Sequence, residues 1–277
     1  MAILFASIAE KNRKTTLQPW VSLFFLLVLF ISLPARAQVP RSEDPVEVIH
    51  TLASLEDRST GTSGCEAAAA YIKQQFLRLG INPVESHRFS LPILRDSGSI
   101  LFLPERRLKI ALNPMRVNAV SPGTIGAEGV EGPLVYVGSG ELNQFDGKEV
   151  ENAVILMDLD SGKNWQHAAM LGAKALIYVD RGPTPKTFFE DKMELSPIRF
   201  PRFWLPFSKA RELFGDFESA PDGRVDTRIR LTSDMTWQPI IGENIYGLIP
   251  GTDPVLRDQL VMVEAFYDST AIVPGRS

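Results

Sequence analysis

The chain has 277 residues, 44% of them hydrophobic, with 29 Lys+Arg against 33 Asp+Glu, three histidines and one cysteine. This is a globular, slightly acidic balance, which excludes disorder, collagen-like repeats and a basic nucleic-acid-binding surface. A lone Cys65 excludes a disulfide framework and a cysteine-rich zinc site, and His50, His87 and His167 leave little for a histidine-based metal centre.

At the amino terminus Lys11, Arg13 and Lys14 precede the apolar run Val21–Leu33, and Pro34-Ala35-Arg36-Ala37 ends in an A-x-A pattern before Gln38. A basic start, an apolar core of about 7–15 residues and small residues at the cut mark residues 1–37 as a secretory signal peptide. Spanning a bilayer takes roughly 20 apolar residues, more than this run offers. Cleavage after Ala37 removes Lys11, Arg13, Lys14, Arg36 and Glu10, leaving 25 basic against 32 acidic groups, a net charge of −7. The expected product is an exported protein, periplasmic or extracellular, that binds neither nucleic acid nor, once cleaved, the membrane. One thiol in such a compartment means reliance on packing rather than cross-links.

From Ser42 the pattern is helical: Val46, Ile49, Leu52 and Ala53 recur at helical spacing, and Ser42 or Asp44 can cap the start. The small polar run Arg58-Ser59-Thr60-Gly61-Thr62-Ser63-Gly64 breaks this helix. A second helix follows, with Cys65, Ala69, Ile72, Phe76 and Leu79 on one stripe and Gly80 as its stop. On that stripe Cys65 reads as a small core residue rather than a reactive thiol. Val84, Phe89 and Leu91 then suggest a strand.

Residues 97–237 change character. Short β-rich runs (Ser99–Leu103, Leu108–Leu112, Leu134–Val137, Ala153–Met157) alternate with turns. Gly123, Gly126, Gly129 and Gly132 recur every third residue and read as a flexible surface loop. A helix from Asn164 to Leu171, stopped by Gly172, leads into the strand Ala175–Val179, a β-helix-β pattern that predicts a small α/β module. In the stretch Pro197–Pro206 the prolines at 201 and 206 argue against a central strand and for an edge or docking arm. Core-covering packing is the plainer role for its aromatics. A helix from Ser208 to Phe214 and strand-like residues from Arg224 to Leu231 complete this segment. Asn244–Gly251 then reads as a strand with a turn, and Gln259–Phe266 as a nearly continuous apolar strand of the kind found at the buried centre of a sheet.

Chemical motifs are sparse. Asp158–Asn164 superficially suggests a calcium loop, but lacks the glycine at position six and the bidentate glutamate at position twelve. A strand-to-helix turn capped by Asn164 or Ser161 accounts for it better. Gly138-Ser139-Gly140 has no third glycine at dinucleotide spacing, and no Gly-x-Ser-x-Gly elbow occurs. No His-Glu-x-x-His spacing links the histidines, which read as structural.

Three stretches in order carry a resemblance: Arg58–Gly64 before its helix, the β-helix-β module, and Asn244–Gly251 followed by Ala265-Phe266-Tyr267-Asp268-Ser269. Together they resemble the secreted zinc aminopeptidases that carry an inserted protease-associated domain. The resemblance implies an α/β fold in which a peptidase-like portion (43–96 and 238–277) is interrupted by a protease-associated-like module (97–237). It also implies a parent activity of removing amino-terminal residues from peptides, with the inserted module helping to choose substrates.

In that family the apolar strand ends in His-x-Asp, the imidazole binding one of two zinc ions and the aspartate orienting it. Here the motif reads Phe266-Tyr267-Asp268, and Phe266 has no lone pair to give. The sequence ends nine residues after Asp268, before the family's later ligands and general base. The expectation is therefore a chain with no catalytic, cofactor-binding or metal-ligating residues of its own. Zinc is expected only in complete family members, and this chain is expected to be inactive alone. The other reading is a non-catalytic secreted module that binds a peptide or protein. Its candidate surface is the Phe200-to-Trp204 arm with Phe188 and Phe189.

Overall fold

The computed structural model describes residues 2–5, 44–55, 57–269 and 273. The expected signal-peptide core, the expected cleavage site and the candidate cap Ser42 lie outside them. In chain order the elements are strand β1 (Ala2–Phe5), helices α1 (Pro45–Ala53) and α2 (Ser63–Arg78), and strands β2 (Val84–Leu103), β3 (Leu108–Ala111), β4 (Asn113–Pro114), β5 (Ile125–Tyr136) and β6 (Val154–Asp158). Helix α3 (Trp165–Met170), strand β7 (Ala175–Asp180), helix α4 (Lys186–Glu190), strand β8 (Arg202–Pro206), helix α5 (Phe207–Phe214) and strands β9 (Arg224–Gly247) and β10 (Met262–Ala265) follow. The architecture is mixed α/β. Among the described residues no helix is long and apolar enough to cross a membrane.

Two compact units share the chain: residues 1–89 with 241–269, and residues 90–240 with 270–277. The boundaries after Phe89 and Ile240 fall inside long strands, β2 and β9, and the third follows Ser269.

In the second unit β5, β6, β7 and β8 run parallel in sequence order, flanked by antiparallel β9 on one side and antiparallel β4 on the other. Side chains alternate across this sheet with the two-residue period of a strand. Leu134, Val154, Leu156, Ala175, Ile177, Val179, Phe203 and Leu205 face one core with Ala210, Leu213 and Phe214 of α5. Val135, Ile155, Met157, Leu176, Tyr178 and Trp204 face the other with Trp165 and Ala168 of α3. Burial on both faces explains the continuous apolar runs at 153–157 and 175–179.

The Pro197–Pro206 stretch departs from expectation. β8 is an inner strand between β7 and β4, with Phe203 fully buried, so the stretch is neither an edge nor a docking arm. The prolines are tolerated because they stand at its ends. Pro201 precedes the strand and uses only its carbonyl, accepting from the Leu176 N–H at 3.0 Å, while Pro206 is the last strand residue.

The glycine repeat is likewise no surface loop. Gly126, Gly129 and Gly132 lie within β5, where the pairing with β9 shifts register between Ile125 and Val130. Gly129 has φ +76°, the left-handed backbone that a bulge of this kind requires, and a side chain at Gly132 would overlap the Asn152 carbonyl.

In the first unit, Asp44 caps α1 by accepting from the Val46 N–H at 2.9 Å. Thr62 caps α2, its Oγ1 accepting from the Cys65 N–H at 3.3 Å. At the far end of α2, Gly80 takes φ +80° and the Ile81 N–H reaches back to the Phe76 carbonyl at 2.9 Å, a Schellman-type stop. Cys65, Ala68, Ala69, Ile245 and Tyr267 form this unit's core, with Leu52, Ile72 and Phe76 against it. β1, which lies within residues 1–37 that the sequence reading assigns to a signal peptide, pairs parallel with the end of β9 and antiparallel with β10. The apolar strand β10 is not the buried centre of a sheet: all four of its residues are exposed, and Val263 retains 52% of its surface.

Candidate functional site

The residues singled out by the motif Phe266-Tyr267-Asp268 meet the Arg58–Gly64 turn within the first unit. Gly64 allows the turn to fold back, because a side chain there would overlap the Asp57 carbonyl oxygen. The Thr62 hydroxyl lies 2.5 Å from the Asp57 carbonyl and 2.8 Å from that of Ser59, tightening the turn as it caps α2. The returning chain docks through its backbone. The Ser269 N–H donates to the Arg58 carbonyl at 2.9 Å, Ser59 and Ser269 form a parallel bridge, and Arg58 Nη1 donates to the Tyr267 carbonyl at 3.1 Å.

Consecutive residues in an extended segment point in opposite directions, and here that decides the chemistry. Tyr267 turns inward, buried, with its hydroxyl donating to the Glu243 carbonyl at 2.7 Å. Phe266 turns outward and is 83% exposed. Asp268 accepts from Thr60 Oγ1 through Oδ2 at 2.7 Å.

Burial pushes the Cys65 thiol above its ordinary value, and the negative charge of Asp268 adds to the shift against a backbone hydrogen bond from Gly61. It is therefore a protonated core residue, not a nucleophile. Burial also pushes the Tyr267 phenol up, so it stays a neutral donor. Glu243 is the reverse case. Burial opposes its ionisation, yet hydrogen bonds from Lys73, at 2.7 Å, and Ser86 hold it below the usual carboxylate value.

This donor set does not fit a zinc ion. Phe266 offers no lone pair, and Asp268 is a single carboxylate with one oxygen engaged by Thr60. Among the described residues no group of three or more His, Cys, Asp or Glu side chains could hold a metal. His50 lies on α1, His87 on β2 stacked 5.8 Å from Phe89, and His167 on α3 with Nδ1 at 2.9 Å from the Gly140 carbonyl.

The remaining motifs resolve as turns. Gly138 and Gly140 take φ +53° and +72° in a tight turn after β5. Asp158 is held by the Tyr136 hydroxyl at 3.0 Å and by Arg181 at 3.1 Å. The expected side-chain cap on α3 is not made. Asn164 instead donates through Nδ2 to the Ser139 carbonyl at 3.0 Å and to Glu141 at 2.9 Å, and the Ser161 hydroxyl has no partner among the described residues.

Sequence reasoning missed a cluster in the second unit, where Lys192 and Arg202 are buried among Trp165 and Tyr178. Arg202 lies in the proline-rich stretch and Lys192 ahead of it, and no local pattern signals the burial of either.

No family model matches the chain, and no curated protein matches it in sequence. Solved structures do match. A zinc aminopeptidase from Bacillus subtilis superposes with a TM-score of 0.50 at 17% identity, over 74% of this chain and 47% of its own. An aminopeptidase from Aneurinibacillus sp. strain AM-1 matches with a TM-score of 0.41 at 19% identity, over 75% of this chain and 48% of its own. A peptidase M28 precursor from Shewanella amazonensis matches with a TM-score of 0.45 at 14% identity, over 72% and 48%. The chain thus spans about half the length of the solved structures it matches. What it shares with the Bacillus subtilis enzyme is an aminopeptidase-like α/β fold.

Proposed function

We propose that this chain is the amino-terminal part of an exported zinc-aminopeptidase-like protein and hydrolyses no peptide by itself. In this reading 43–96 and 238–277 form the peptidase-like portion and 97–237 a protease-associated-like module. The observation that carries it is Phe266. It occupies the position that the resemblance assigns to a zinc-binding imidazole, it projects into solvent, and the neighbouring carboxylate is engaged by Thr60. A metal-assisted hydrolase needs nitrogen and carboxylate ligands, an open coordination position and a base, and the described residues bring no such set together. The test is an aminopeptidase assay on the purified exported chain with zinc titrated in, alongside calorimetry for zinc binding. The expected result is neither turnover nor stoichiometric binding; zinc-dependent turnover overturns the reading.

A second reading, a secreted protein-binding module, is favoured by the exposed apolar run Leu260, Val261, Met262, Val263 and Phe266. The Phe200-to-Trp204 arm is interior, with Phe200, Phe203 and Trp204 all buried. Replacing Val261 and Val263 with lysine is expected to abolish concentration-dependent association with a partner in sedimentation velocity while leaving the circular dichroism spectrum unchanged.

A further inference from the structure

The second unit holds a group of buried polar side chains that the proposed function does not use. Lys192 and Arg202 are each 1% exposed, and their charged ends meet carbonyls and ring faces. Lys192 Nζ donates to the Gly162 carbonyl at 2.7 Å and lies 5.4 Å from the centre of the Tyr178 ring. Arg202 donates through Nη1 to the Lys192 carbonyl at 2.6 Å and through Nη2 to that of Val117 at 3.2 Å, with its guanidinium 3.9 Å over Trp165. Carboxylates act on the pair only from farther off, Asp191 and Asp160 on Lys192 and Glu194 on Arg202. Two cations withdrawn from water without a paired anion carry a large desolvation penalty.

Trp165 Nε1 and Ser161 Oγ have no hydrogen-bond partner among the described residues, and the Tyr178 hydroxyl meets only the Arg202 guanidinium, a donor that leaves the phenol proton unplaced. Ser161 adjoins Gly162, whose carbonyl takes the Lys192 ammonium. The unmet demand is one-sided. Trp165 Nε1 can only donate, both hydroxyls carry a proton to place, and the ammonium has further protons beyond the one on Gly162. None of the orphaned atoms here is a carboxylate or amide oxygen. A water molecule in that setting still has two protons of its own to satisfy. An anion accepts from every side and offsets the charge.

We propose that Lys192, Arg202, Tyr178 and Ser161 form an internal site for a small monovalent inorganic anion of the size of chloride. The site lies where β7, β8 and the turn before α3 meet. Small size follows from enclosure, since all four residues are nearly inaccessible. A single charge follows because Asp191, Asp160 and Glu194 already offset part of the two cations. Burial pulls Lys192 down to about 8, and a bound anion would hold its ammonium form to higher pH.

The test follows the thermal midpoint of the full chain as sodium chloride replaces sodium gluconate at constant ionic strength. Chloride is expected to raise the midpoint by about 2–4 °C at saturation, and Lys192→Met to lose that response. Equal midpoints of the wild-type chain in both salts overturn the proposal, as does a Lys192→Met variant that keeps the full response. Should Lys192→Met not fold, wild-type crystals grown in bromide decide, an anomalous peak beside Lys192 and Arg202 supporting the site and its absence there refuting it. A larger response to phosphate than to chloride overturns the assignment to a small monovalent ion.

Discussion

Strand β7 (Ala175–Asp180) and the stretch Gln259–Phe266 read alike along the chain, each a nearly unbroken string of apolar residues, yet they end in opposite surroundings. β7 lies between parallel β6 and β8 with a packed layer on each face, and Ala175 to Val179 are all buried. β10, within the second stretch, pairs with β1, and its four residues are exposed. The difference teaches that an apolar run states what a segment can bury, while the neighbours on its two faces decide what it does bury.

The largest expected effect separates these two regions. Phe203→Ala, on the inner strand β8, is expected to cost about 3–5 kcal/mol in urea unfolding, whereas Val263→Ala on β10 stays within about 0.5 kcal/mol. Similar costs at both positions would break the comparison.

The second prediction concerns charge within the buried region. Burial lowers Lys192 from its ordinary 10.5 to about 8. Between those values the unfolded chain binds the proton more tightly than the folded one. The penalty is therefore fully present below about 8 and fades as pH rises toward 10.5. Wild-type stability in sodium gluconate, free of chloride, measured against Lys192→Met, should rise across that window by on the order of 2–3 kcal/mol. A parallel pair of pH profiles would show that Lys192 is not held out of water.

Smaller still is the cap of α2 in the first unit. Thr62→Ala removes the acceptor for the Cys65 N–H and the hydroxyl that ties Asp57 and Ser59 into the turn, and is expected to cost about 1 kcal/mol. Thr62→Ser should recover most of that loss, both read by urea unfolding. The smallest effect belongs to the exposed motif residue. Phe266→His should change stability by less than about 0.5 kcal/mol. It should also create no zinc site detectable by calorimetry, since one imidazole added beside Asp268 still leaves too few ligands.

Legibility followed the range of the interaction. The strands at 153–157 and 175–179 appear within a residue of where the apolar runs place them, and α2 has both its Thr62 cap and its Gly80 stop, because period, cap and stop are local signals. The glycine repeat misled because its purpose is set across the sheet. Gly129 supplies a left-handed bulge against β9, and Gly132 lets the Asn152 carbonyl approach. The prolines at 201 and 206 misled because their effect depends on the ladder positions they occupy, and both stand where no strand N–H is needed. At the candidate site Phe266's want of a lone pair was legible from its residue type. The Thr60–Asp268 bond joins residues 208 positions apart and was not.

By itself, then, the sequence determined the α/β class, the helices and strands of the β-helix-β module, and the poverty of metal-binding side chains. These depend only on residue type and short-range spacing. The tertiary structure alone decided that β8 is interior, that β10 is bare, and that Lys192 and Arg202 are buried beside aromatic rings. Burial belongs to two surfaces at once, and a one-dimensional pattern records only one of them.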